Sequence, residues 1–224
     1  MNKAFGLIEL LFAIIVMSVA MLAIPPIMMQ TTSNIEEIIK QEAIFQAYRT
    51  LYTIETYKWD EASTNENSSA PIKVSHILDV TNGDTELDRT NPGSTVRIGN
   101  FGVYDRRTFF PTVTYASTTL GLEAGETQKD DIDDFDGNSD TINKNVGEFL
   151  LNMNINQKVY YVSDNANYSS TTLTININAS SSTASTNIKM IDLNVTDDSN
   201  NPVLVMRGFV CNIGEAPLLT KDAL

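Results

Sequence analysis

The chain has 224 residues, with 28 acidic against 15 basic side chains and a formal net charge of −13. That balance repels phosphate backbones and excludes nucleic acid as a general partner. A single cysteine, Cys211, excludes an internal disulfide, and a single histidine, His76, lies in no GxSxG or HExxH motif, so nothing points to an enzyme.

The first element is an apolar run, residues 5–29, reading FGLIELLFAIIVMSVAMLAIPPIMM. It carries one charge, Glu9. A helix of ~20 such residues spans a hydrocarbon core. Lys3 precedes the run, which favours a cytoplasmic N-terminus. The run is too long for the apolar region of a cleaved secretory signal, and no small-x-small cleavage site follows it. An ionisable group within a membrane segment costs a few kcal/mol and marks function by default.

Glu9 needs a positive partner. A chain cut between Ala4 and Phe5 would provide one, the new α-amino group of Phe5, about 6 Å along the helix from Glu9. Within one helix the two interact weakly. Between parallel helices staggered by about a turn, the amine of one meets the carboxylate of the next. The charge then gains its partner only on assembly.

The stretch KAFGLIEL resembles the processing signal of type IV pilins and type II secretion pseudopilins. In that signal a short basic leader is cut before a Phe, and a Glu stands fifth after the cut. Phe5, Leu7, Ile8, Glu9 and Leu10 match in register. Two positions depart: Ala4 replaces the usual Gly before the cut, and Gly6 stands where Thr is common. The resemblance implies cleavage between Ala4 and Phe5 by a prepilin peptidase and N-methylation of Phe5. It also implies assembly through Glu9 and Pro26, since type IV pilin helices often carry a proline at that distance past the cut. Independently of the resemblance, prolines inside a helix remove hydrogen bonds, so Pro25-Pro26 predict a kink or local melting near residues 20–26.

Thr32, Ser33 or Asn34 can cap a second helical stretch. Ile35, Ile38, Ile39, Ala43, Ala47, Leu51 and Ile54 recur at helical spacing, predicting an amphipathic helix to about Lys58 that packs on a sheet. Phe45, Tyr48, Tyr52, Tyr57 and Trp59 read as packing groups. A polar loop follows from Asp60. Residues 74–80, 94–105 and 108–117 read as short extended pieces between turns.

The acidic loop KDDIDDFDGNSD spans residues 129–140. It fails the EF-hand pattern, because Gly137 as sixth position puts Ile132 first and Asn143 twelfth. It reads either as a solvated acidic turn or as a calcium site with Asp131, Asp133, Asp134 and Asp136 as first ligands. The resemblance adds weight to calcium, because some major pseudopilins hold it in an acidic loop; DDIDDF is also similar to minor pilins of the mannose-sensitive haemagglutinin type. No cofactor is otherwise called for.

Residues 156–164, 170–180, 186–197 and 201–214 are strand-like, with a turn at 197–202 between the last two. Cys211 reads as a small buried apolar group in the last strand. Many type IV pilins close a C-terminal loop with a disulfide; this chain cannot, which favours the pseudopilin or minor-pilin branch.

The expected fold is α+β: a long N-terminal helix, kinked near Pro25-Pro26, packed on a C-terminal antiparallel β-sheet head. The expected parts are a leader at 1–4, a membrane or filament-core helix at 5–29, an amphipathic helix at 30–59 and a periplasmic or extracellular head at 60–224. The resemblance implies a minor pilin or pseudopilin of a type IV pilus or type II secretion pseudopilus. Its partners would be other pilin subunits, prepilin peptidase and the inner-membrane assembly platform. The subunit would lie in the bacterial inner membrane before assembly. The alternative is a membrane-anchored periplasmic binding protein or adhesin that does not polymerise.

Overall fold

The computed structural model describes residues 2–64, 75–83, 87, 88, 90, 109, 110, 112–144, 149, 151–163, 170–172, 174, 177 and 180–215, with side chains from Gly6 onward. The extended piece expected at 94–105 lies outside these residues, as does much of the strand expected at 170–180.

One helix, α1, runs from Asn2–Glu55 without a break. The local melting expected near Pro25-Pro26 does not occur. Both prolines hold a φ that suits a helix, so the helix runs through them at the cost of two missing N–H donors. No new helix starts at Thr32 either. Its Oγ1 donates back to the Met28 carbonyl at 3.0 Å, and Thr31 does the same to Ile27 at 2.9 Å. These residues therefore continue the preceding turn instead of capping a new one.

The strands are β1 (Ser139–Ile142), β2 (Met153–Val162), β3 (Ser181–Ser182), β4 (Ile188–Asp197) and β5 (Pro202–Cys211). They form one antiparallel sheet in the order β1-β2-β4-β5. The short β3 pairs with β2 at Tyr161 and Val162, on the edge that β1 occupies further along. The β4–β5 register shifts between Val195 and Thr196, leaving Val203 as the extra residue. The connecting turn is tied by Asp197, whose carboxylate accepts the backbone N–H groups of Ser199 and Asn201, each at 2.8 Å. The Asn201 side-chain amide, which donates to Asp197 Oδ2 at 2.9 Å, and then the backbone bonds hold the Asp197 carboxyl below its ordinary pKa.

The sheet turns Met153, Ile155, Val159, Ile191, Leu193 and Val195 toward α1, where they bury Ala43, Ala47, Leu51 and Ile54. Packing begins at Ile39; Ile35 and Ile38, expected on the same face, are exposed. Gly208 on β5 lets the helix approach. A Cβ there would stand 2.8 Å from Leu51 Cδ1 and 2.9 Å from Glu55 Oε1.

Of the five aromatic residues expected to pack, two do. Tyr57 meets Phe135 edge-on with ring centres 4.9 Å apart, and Trp59 lies 6.2 Å from Tyr161. Phe45, Tyr48 and Tyr52 are exposed. On the outer face, Tyr160, Val162, Ile188 and Met190 form a second cluster, with Cys211 half-buried beside it rather than fully buried. His76 stacks on Phe110 with ring centres 4.2 Å apart.

Candidate functional site

Two features stand apart from ordinary packing. The first is the free part of α1. Leu7, Ile8, Leu10, Leu11, Phe12 and the apolar residues that follow to Met29 are exposed all round, as is Glu9. Not one residue of its most apolar stretch is buried by the head, and the helix is long and apolar enough to cross a membrane. A helix apolar on every side belongs in a bilayer or among other helices. From Gly6 to Ile38 the exposed length is about 50 Å, at 1.5 Å per residue. Ala4 and Phe5 lie within the helical backbone, and their side chains are outside the described set. Pro26 sits on this exposed length.

The second feature is a buried charge cluster under the end of α1. Lys189 projects from β4 on the same face as Ile191 and Leu193 and is 0% exposed. Its Nζ donates to the Trp59 carbonyl and to Asp133 Oδ1, both at 2.5 Å, and lies 3.5 Å from Asp60 Oδ2. The rings of Trp59 and Tyr161 enclose it, at 4.5 and 5.5 Å. Tyr161 donates its hydroxyl to the Ser117 carbonyl at 2.6 Å.

The acidic loop is folded, with residues 131–135 buried and Asp130 and Asp140 exposed. A single 3-10 turn, Asp133–Phe135, buries Asp133, Asp134 and Phe135, and Asp131 is buried just before it. Asp131 Oδ2 accepts the Glu61 N–H at 2.6 Å, and its Oδ1 accepts those of Asp133 and Asp134 at 2.8 and 3.3 Å. Asp136 Oδ1 accepts the Val159 N–H at 2.9 Å, pinning the loop to β2. Asp134 Oδ2 accepts the N–H groups of Asp130 and Asp131, at 2.7 and 3.2 Å. Two carboxylate oxygens, Asp133 Oδ2 and Asp134 Oδ1, are buried without a hydrogen-bond partner.

The four candidate ligands therefore do not converge on one point by their donors. Asp131 and Asp136 accept backbone N–H groups. Asp133 faces Lys189, whose charge opposes a second cation there. Asp134 faces a different pair, Glu123 and Glu126, which the sequence reading did not name. One carboxylate oxygen from each of the three lies within 4.8 Å of the others. The turn holding the glutamates is drawn in by the Gly121 N–H, which donates to the Asp133 carbonyl at 3.0 Å.

Burial, and then the neighbouring Asp133 carboxylate, push Asp131 up to about 8. Burial also raises Asp60, against the opposing pull of Lys189. Burial, then its contact with Glu126, carries Glu123 up to about 7. An acid whose folded pKa lies above its unfolded value stabilises below the unfolded pKa and loses that contribution as pH rises through the folded one. For Asp131 the window runs from 3.8 to about 8. The melting temperature of the chain in chelator and detergent should fall between pH 5 and pH 8.5; a rise across that range would contradict the burial of these carboxyls.

No family model, curated protein or solved structure matches the chain.

Proposed function

We propose that this protein is a structural subunit that assembles through its N-terminal helix, a minor pilin or pseudopilin of a type IV pilus or type II secretion pseudopilus. The observation that carries the reading is the exposed apolar half of α1. The head covers none of it, and it holds one acid, Glu9, near its start. The KAFGLIEL signal supplies the partner that this acid lacks. Cleavage between Ala4 and Phe5 by a prepilin peptidase, then N-methylation of Phe5, places a cationic amine within reach of a neighbour's Glu9. Pairing sets the axial register, because an unpartnered charge among packed helices is strongly unfavourable.

The exposed Phe45, Tyr48 and Tyr52 support the same reading. They extend an apolar surface past the bilayer, alongside the head, where a neighbouring subunit would lie. Before assembly the subunit would sit in the inner membrane with its head in the periplasm, near the assembly platform. No cofactor enters this role, and it is not catalytic.

Two measurements test the proposal. Mass spectrometry of the chain co-expressed with a prepilin peptidase should find a mature N-terminus at methylated Phe5; an intact Met1 would overturn it. The Glu9→Ala variant should enter filaments about tenfold or more below wild type while reaching the membrane normally, given the cost of an uncompensated partner amine. Unchanged incorporation would instead favour a membrane-anchored binding protein that does not polymerise.

A further inference from the structure

The geometry points to a divalent-cation site formed by Glu123, Glu126 and Asp134, with calcium as the ion. It does not depend on the filament reading. Three carboxylates each present one oxygen, and these oxygens lie within 4.8 Å of one another. Three acids so close repel each other unless something positive sits between them. The second observation is Asp134 itself. The residue is 1% exposed, its Oδ2 is engaged by two backbone N–H groups, and its Oδ1 is buried with no partner. A buried carboxylate oxygen without a donor is costly. A cation held with Glu123 and Glu126 gives it one.

The donor set selects the metal. All three ligands are carboxylates, with no histidine or cysteine among them, which suits a hard cation. Asp134 is buried, Glu126 half-buried and Glu123 exposed. Solvent can therefore complete the shell. Two of the ligands come from one turn and the third from another, an uneven cage that calcium tolerates better than magnesium, which demands near-ideal octahedral geometry.

The ion would clamp two segments. One is the turn carrying Glu123 and Glu126, where the Glu126 N–H donates to the Glu123 carbonyl at 3.1 Å. The other is the 3-10 turn of Asp133–Phe135, whose Asp133 also binds Lys189. Calcium would thus stiffen the segment that lies over the end of α1.

The test uses the full chain in detergent, stripped with EDTA and then titrated calorimetrically with calcium and, separately, magnesium. Wild type should bind one calcium saturably, with magnesium weaker, and its melting temperature should rise. Glu123→Gln and Glu126→Gln should each weaken calcium binding about tenfold or more, because affinity follows the ligand charge count. Both residues reach the surface, so these variants should fold, which circular dichroism checks; Asp134→Asn serves as a third variant. Glu36→Gln, on exposed α1, should bind as wild type does. Absence of saturable binding in wild type, or full binding in both glutamate variants, would overturn the assignment.

Discussion

Lys189→Met will unfold the head. Methionine keeps the length of the side chain and its contacts with Trp59 and Tyr161, so no large cavity opens. What disappears is the cation. Asp133 and Asp60 are each 1% exposed and lose the positive charge at 2.5 and 3.5 Å. Removing one partner from a buried ion pair costs about 3–5 kcal/mol, because the other is left charged in a medium that cannot solvate it. A domain of ordinary stability has about 5–15 kcal/mol in total. The Trp59 carbonyl loses its donor as well. Thermal melting of the full chain, followed by near-ultraviolet circular dichroism, should show a head that melts far below wild type or has no fixed packing. Adding Asp133→Asn and Asp60→Asn to Lys189→Met should recover part of the loss, since the orphaned charges go with them. A single variant within about 1 kcal/mol of wild type would show that the cluster contributes little.

Gly208→Leu should detach the helix from the sheet. Already at Cβ the new side chain would lie 2.8 Å from Leu51 Cδ1 and 2.9 Å from Glu55 Oε1. The rest of a leucine has nowhere to go except between α1 and β5. Overpacking of this kind costs about 1–3 kcal/mol. Gly208→Ala tests the same contact gently, because the first atoms met are ends of side chains that can turn aside. Alanine should therefore be tolerated, while leucine should lower the melting temperature and open residues 56–64 to protease. Equal resistance of wild type and leucine variant would mean the docking is looser than the distances say.

The helix was legible from the apolar run at 5–29 and from the repeat that follows it, and its packed face was legible from Ile39 onward, because Ala43, Ala47, Leu51 and Ile54 recur at 3.6-residue spacing and a single face is buried. Upstream, Ile35 and Ile38 continue the helix but not its packed face, since none of the described residues covers them. At the prolines the helix continues where local melting was one of two expected outcomes. Their cost is local, and propagation from both sides outweighs it. Strands β4 and β5 and the turn at 197–202 followed from alternation and turn chemistry. β1 was missed because SDTI carries only one apolar residue, and it is held by pairing with β2.

The charge cluster left a trace that alternation reveals. Lys189 falls in phase with Ile191, Leu193 and Val195, so it must be buried if they are. What sequence could not supply was its partners. Asp60 and Asp133 are far away along the chain, and only the sheet brings them together. Glu123 and Glu126 escaped for the same reason: the acidic density at 129–140 drew the eye, while their meeting with Asp134 depends on a turn closed by Gly121.

Lys189 also joins things that would otherwise be mechanically separate. It stands on β4, an interior strand of the sheet, and holds the carbonyl of Trp59, four residues past the end of α1. A pull along the helix axis would then reach the sheet through more than the apolar contacts of α1. It would also pass through a charged pin seated near the start of an interior strand. The end of the helix is thus bolted to an interior strand, and tension on the stalk would load the whole head at once rather than peel it away edge first.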